Sequence, residues 1–207
     1  MILPSTVPHI IQKLFPRRVW HIETDQKIAY LSFDDGPHER ITPMVLQLLK
    51  KHGALATFFC IGDRVNKHPE CFERIKQAGH AIGNHTYHHV NGWKTDPERY
   101  VEDVQKAHAL IGSTLFRPPY GRLTSTQFQR LEQEGFKTIM WTILSGDYDR
   151  RLRPDQCAKR VVQALQPGAI ILFHDSEKAE MNMMVALEKL LEEGISRGYV
   201  FKPLNSN

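Results

Sequence analysis

Two adjacent aspartates, Asp34 and Asp35, end the apolar run of the stretch LSFDDGP, and no Lys or Arg flanks them. Neighbouring like charges repel, so their partners must come from distant parts of the chain. The stretch NHTYHH places His85 and His89 four apart, on one face if the backbone turns helically. His88, three residues from His85, competes with His89. Two imidazoles and a carboxylate leave one zinc position open to water, which is the catalytic rather than the structural pattern. In FRPPYG two prolines fix the backbone just after Arg117, while Tyr120 and Gly121 keep N–H groups that can face a substrate oxygen. In IILFHDS an apolar strand delivers His174, a candidate general acid. In MWTILSGDYD, Asp147 is placed to hold and polarise a histidine. Each stretch alone also reads as ordinary structure: a surface His pair, a plain loop, a satisfied histidine, a Ser-Gly-Asp turn. A twin-Asp strand end and a His pair in one chain favour the metal reading.

These residues need a scaffold that brings five separated stretches together. Short apolar runs alternate with amphipathic ones. Strands are expected at KIAYLSF, ALATFFCIG, HAIGNH, TLF, KTIMWTIL, AIILFHD and YVFKP. Between them lie helices over 42–53, 68–80, 96–112, 124–136, 153–168 and 181–198, many opened by Thr, Asp or Pro and closed by Gly. Such alternation means a parallel sheet with helical crossovers. The polar candidates all fall at or just beyond the C-terminal ends of strands, where a β/α barrel gathers its chemistry. The expected fold is therefore α/β, a distorted (β/α) barrel of about seven parallel strands. Residues 1–26 are expected to form an N-terminal extension, in which PHIIQKLFPRRVW predicts a short helix packed on the domain, and residues 27–207 to form the one domain that carries these candidates.

The bulk composition excludes several classes. The chain has 207 residues, a net charge of +4 and no long Lys/Arg run, which argues against nucleic acid as partner, although a basic balance suits an anionic polymer such as a cell wall. Three irregularly spaced cysteines suggest neither a disulfide framework nor a thiolate zinc site. No phosphate-cradling glycine motif occurs. No run approaches a membrane span, and Pro4, Pro8 and Pro16 interrupt any signal-peptide pattern. Localisation reads as cytoplasmic on that ground, although a cell-wall substrate would require export.

The five stretches, in this order, resemble the polysaccharide deacetylase family, the NodB-homology domains of carbohydrate esterase family 4. Ser32 to Pro37 match Thr/Ser-Phe-Asp-Asp-Gly-Pro. His85, Thr86 and His89 match His-Ser/Thr-x-x-His, which selects His89 over His88. Arg117, Pro119 and Tyr120 match Arg-x-Pro-Tyr, and Leu172 and His174 match Leu-x-His. The fourth motif departs: Leu144 stands where the family has its first Asp and Tyr148 where it has Trp, while Asp147 is kept. The resemblance implies a NodB-like barrel, with Asp34 as general base, Arg117 as its partner favouring the ionised form, and Asp35, His85 and His89 as ligands of one divalent metal. Zinc is the first expectation, with cobalt, nickel or manganese as alternatives. It implies His174, held by Asp147, as general acid, the Tyr120 N–H on the oxyanion, and Tyr148 and Leu172 around the acetyl methyl. The implied reaction is hydrolysis of N-acetyl groups from N-acetylglucosamine-type sugars of a peptidoglycan or chitin-like polysaccharide. The rival readings are an O-acetyl esterase acting on acetylated xylan and a non-catalytic carbohydrate-binding domain. Successive residues of an extended chain point to opposite sides, which would let Asp34 and Asp35 face different partners.

Overall fold

A computed structural model describes residues 3–205. Its strands are β1 (Ile28–Asp34), β2 (Ala56–Cys60), β3 (Ala81–Asn84), β4 (Leu115–Phe116), β5 (Lys137–Thr138), β6 (Ile143–Leu144), β7 (Ile170–His174) and β8 (Val200–Phe201). They pair in the order β5-β4-β3-β2-β1-β7-β6, all parallel, with β8 beside the first residues of β1. This is the expected distorted barrel, left open between β5 and β6.

The helices are α1 (His9–Leu14), α2 (Ile41–Lys51), α3 (Gly62–Lys67), α4 (Pro69–Gln77), α5 (Pro97–Ile111), α6 (Ser125–Gln133), α7 (Pro154–Ala164) and α8 (Glu180–Ser196). Local signals set several ends. The Asp96 carboxylate accepts from the N–H groups of Glu98 and Arg99 at the start of α5, and Thr124 and Gln127 form a reciprocal cap on α6.

Strand β1 sorts its side chains by alternation. Ala29, Leu31 and Phe33 join the main core, where Phe33 stacks between Phe58 and Phe173 at 5.0 and 5.8 Å. Ser32 and Asp34 project to the other side, toward Arg117. The register sets Asp34 level with Phe59 on one neighbour and His174 on the other, so the ends of β1, β2 and β7 open on one face.

Three expectations need correction. KTIMWTIL is not one strand but the two short strands β5 and β6. The carbonyls of Ile139 and Met140 between them are taken by Nε and Nη2 of Arg117, at 3.2 and 2.9 Å, so they cannot serve a sheet neighbour. The N-terminal segment lies along this gap instead. The Val19 N–H donates to the Thr138 carbonyl, the Met140 N–H to Val19, and the Leu144 N–H to Ser5. Second, α1 forms, but it buries none of its residues: Ile10 and Leu14 are 67% and 66% exposed. It is not the packed helix that its apolar residues predict; in this segment Arg18 and Trp20 are the buried residues. Third, α3 was not expected. The chain turns there because the N–H groups of Gly62 and Asp63 reach the carbonyls of Thr86 and Tyr87 rather than another strand. Cys60, Cys71 and Cys157 are free and buried.

Candidate metal centre and active site

The C-terminal face of the sheet holds a cavity of about 780 Å³, and Asp34, Asp35, His85, His89 and His174 all line it. Arg117, at the end of β4, lies beneath it with no solvent exposure. Its Nη1 donates to Asp34 Oδ1 and to Ser32 Oγ, both at 2.8 Å, and Phe59 stacks 4.0 Å from the guanidinium carbon. With Ile139 and Met140 the guanidinium serves four acceptors, which satisfies a buried charge that would otherwise be costly. Burial lowers the Arg117 pKa, and the Asp34 charge opposes that.

Asp35 takes a different direction from Asp34, though not through strand alternation. It stands just past β1 with φ of 80°, so a left-handed turn re-aims its carboxylate. Oδ1 lies 3.3 Å from His89 Nε2 and 3.9 Å from His85 Nε2. Burial opposes ionisation of Asp35, but the His89 hydrogen bond and the charges of His174, His85 and His89 hold it well below the usual carboxylate range. Gly36 follows because there is no space for a side chain: a Cβ there would lie 2.1 Å from Asp175 Oδ2.

The donor atoms of Asp35, His85 and His89 lie within 4.8 Å of one another. His85 Nδ1 hydrogen-bonds the Arg117 carbonyl at 2.8 Å, which makes Nδ1 the protonated nitrogen and leaves Nε2 as a ligand. Burial lowers the His85 pKa to about 4, offset only partly by Asp34, so the ring is neutral at pH 7 as a metal ligand must be. The donor set therefore fits one divalent cation. His88 faces elsewhere, bound to Asp103. The His pair does not sit on a helix. Thr86 and His89 have φ of 63° and 56°, and this tight loop brings the two rings to 5.1 Å.

On the other flank of β1, Asp147 is fully buried and grips His174 twice: Nδ1 donates to Oδ1 at 2.8 Å and the backbone N–H to Oδ2 at 2.7 Å. Burial alone would lower the His174 pKa. The charge and hydrogen bond of Asp147, with Asp35 and Asp34 adding, raise it to about 9. Tyr148 packs edge-on to His174 at 5.2 Å, and Leu172 and Leu144 line the same cavity. Tyr120 has φ of 60°, its ring meets His89 at 4.8 Å, and its N–H donates to no described residue. The four non-glycine residues with positive φ among the described residues are Asp35, Thr86, His89 and Tyr120, so backbone strain is confined to this site.

The structure thus brings the candidate residues of all five stretches, apart from His88, to one cavity or directly beneath it. Sequence reasoning does not single out Ser32 as a partner of Arg117, nor Trp141 and Arg64, which line the cavity, nor Asp175, buried beneath Gly36. Ser32 was findable, because it lies two residues before Asp34 and must share its face. The other three carried no positional signal.

A metal-ligand cluster, a carboxylate and a protonatable histidine at the mouth of a parallel β/α barrel define a hydrolase of the metal-assisted kind. The polysaccharide deacetylase family model matches residues 21–139. A peptidoglycan-N-acetylglucosamine deacetylase of Bacillus cereus is 32% identical over 188 residues, covering 88% of each chain. A chitooligosaccharide deacetylase of Azorhizobium caulinodans is 29% identical, covering 88% of this chain and 95% of its own. The crystal structure of a peptidoglycan N-acetylglucosamine deacetylase in complex with a naphthyl N-hydroxybenzamide superposes with a TM-score of 0.86 at 29% identity, over 96% and 95% of the two chains. The chain belongs to the polysaccharide deacetylase family, carbohydrate esterase family 4. It is an enzyme of that family, and none of its described helices is long and apolar enough to cross a membrane.

Proposed function

We propose that the protein removes the N-acetyl group from N-acetylglucosamine-type residues of a glycan, releasing acetate and a free amino sugar. One observation carries the reading: Asp34 with its buried arginine, the Asp35-His85-His89 cluster and the Asp147-His174 pair face a single cavity.

Asp35, His85 and His89 would hold the cation, with zinc the first choice for two imidazoles and a carboxylate. When bound, it supplies Lewis acidity to the water and to the amide carbonyl. Asp34 is the general base. Its Oδ1 is committed to Arg117, and Oδ2 remains for the proton of the attacking water. The unengaged N–H of Tyr120 donates to the oxyanion as the carbonyl becomes tetrahedral. His174 donates its Nε2 proton to the departing amine, because Nδ1 is held by Asp147. Leu172 and Tyr148 enclose the acetyl methyl.

The test is acetate release from a panel of N-acetylated and O-acetylated glycans, using protein stripped by chelator and then reloaded with zinc, cobalt, nickel or manganese. Release from N-acetylated glycans, lost on stripping and restored by reloading, is the expected result. Turnover unaffected by chelation would remove the metal from the scheme, and release from O-acetyl xylan alone would replace the amidase with an esterase.

A further inference from the structure

The charged residues lining the cavity are unevenly partnered. Each acid has a cationic or imidazole neighbour: Asp34 has Arg117, Asp35 has His89, and Glu177 lies 3.5 Å from His38. Two cations lining the cavity have no such neighbour among the described residues. Arg64, half-buried on α3, has no carboxylate within ion-pairing distance. The adjacent Asp63 is already held by Lys67 at 2.6 Å. Lys178, which follows β7, has its ammonium 5.5 Å from the Tyr148 ring and forms no ion pair. Asp149, close enough to feel the Lys178 charge, is gripped by Arg151.

Their places in the fold add to this. Arg64 follows β2 and Lys178 follows β7, the two strands that flank β1. The unpaired cations therefore stand on either side of the twin aspartates. A guanidinium that is partly desolvated and lacks an acid has binding capacity left for one, and its planar fork suits a carboxylate.

We propose that Arg64, assisted by Lys178, reads a carboxylate on the saccharide next to the one being deacetylated, so that the enzyme prefers an anionic glycan to a neutral one. This rests on the deacetylase reading and names its substrate class. The carboxylate has two sources in a cell-wall glycan: a lactyl ether on the sugar, or a peptide attached to it.

The experiment compares Arg64→Gln and Lys178→Gln with the parent, all metal-loaded. The substrates are neutral N-acetylated chitooligosaccharides, peptidoglycan strands freed of peptide, and strands carrying peptide. Arg64→Gln is expected to lower kcat/KM on carboxylate-bearing strands about tenfold, the value of one charge-assisted hydrogen bond, and to leave the neutral oligosaccharides within about twofold. Lys178→Gln, being exposed, should show a smaller loss of the same selectivity. Raising salt should erode the parent's preference for the anionic strands. A loss already present with peptide-free strands assigns the carboxylate to the lactyl group; a loss appearing only with peptide assigns it to the peptide. Equal losses on neutral and anionic substrates, or a parent that prefers neutral oligosaccharides at low salt, would overturn the proposal. If the metal-loaded parent releases acetate from none of the three, the deacetylase reading fails before this one is reached.

Discussion

The site contains two carboxylate–cation pairs of opposite design. Asp34–Arg117 joins a carboxylate to a partner that cannot lose its proton, is wholly buried and has four acceptors. Asp147–His174 joins a carboxylate to a partner that titrates and faces the cavity. In the proposed mechanism the carboxylate of the first pair would be the working group and its cation the scaffold. In the second pair the carboxylate would be the scaffold and the cation would do the work. The proposed base and acid thus stand level at the ends of the neighbouring strands β1 and β7, each with its own partner behind it. The division teaches that the two sides should answer to different perturbations, the first to loss of its buried partner and the second to loss of the carboxylate that sets its pKa.

The hardest test of the first pair is Asp34→Asn. Turnover should fall about a thousandfold or more, within the range for loss of a general base in a site that depends on it. Metal content, measured by atomic absorption, should not change. Asp35→Asn should do the reverse in order of cause, losing the metal first and activity with it. Equal metal loss in both variants would erase the distinction between the two aspartates.

Arg117→Met probes the scaffold half directly. It leaves Asp34 buried without its partner and frees the carbonyls of Ile139 and Met140, which form the break between β5 and β6. Breaking a buried pair in this way costs about 3–5 kcal/mol. Chemical denaturation should show that loss whether or not metal is present. A change under about 1 kcal/mol would mean that the arginine is held for catalysis alone.

Much of this was legible in the sequence, for identifiable reasons. Asp34 and His174 end apolar strands, and strand ends in a parallel β/α fold converge, so their meeting followed from periodicity alone. The choice of His89 over His88 did not. Spacing allowed either, and the loop that decides it has left-handed residues at Thr86 and His89, which propensity does not foresee. The same holds for Asp35, whose divergence from Asp34 comes from a backbone turn and not from strand alternation. KTIMWTIL misled because its apolar pattern is that of a strand, while the partners of its carbonyls lie on a distant arginine. Helix α1 misled in the other direction: apolar residues predict burial, but nothing in the described residues covers them.

The second pair should yield to pH. His174 carries its proton below about 9 and loses it as pH rises through that value. As general acid it would give kcat/KM an alkaline limb at or below pH 9, since a cation beside Asp35 weakens the contribution of that carboxylate. Asp147→Asn removes the largest influence raising the pKa, so the limb should move toward acid, with activity at pH 8 reduced about 10- to 100-fold and partly recovered at lower pH. Arg117 variants should leave the position of the limb nearly unchanged. A limb that stays in place in Asp147→Asn would take the acid role away from His174.

The smallest effect should come from Ser32→Ala, and it shows how finely the first pair is built. Ser32 Oγ accepts from Arg117 and donates to the Ile171 carbonyl at 2.9 Å, so it ties the guanidinium to β7 as well as to β1. Removing it deprives Nη1 of one of two acceptors but leaves Asp34 in place, and should cost about 1 kcal/mol of stability. If Arg117 is scaffold, activity should fall only a few-fold and the pH profile should keep its shape. If Ser32→Ala instead lowers turnover as far as Asp34→Asn, the guanidinium takes part in the reaction itself, and the contrast between the two pairs no longer holds.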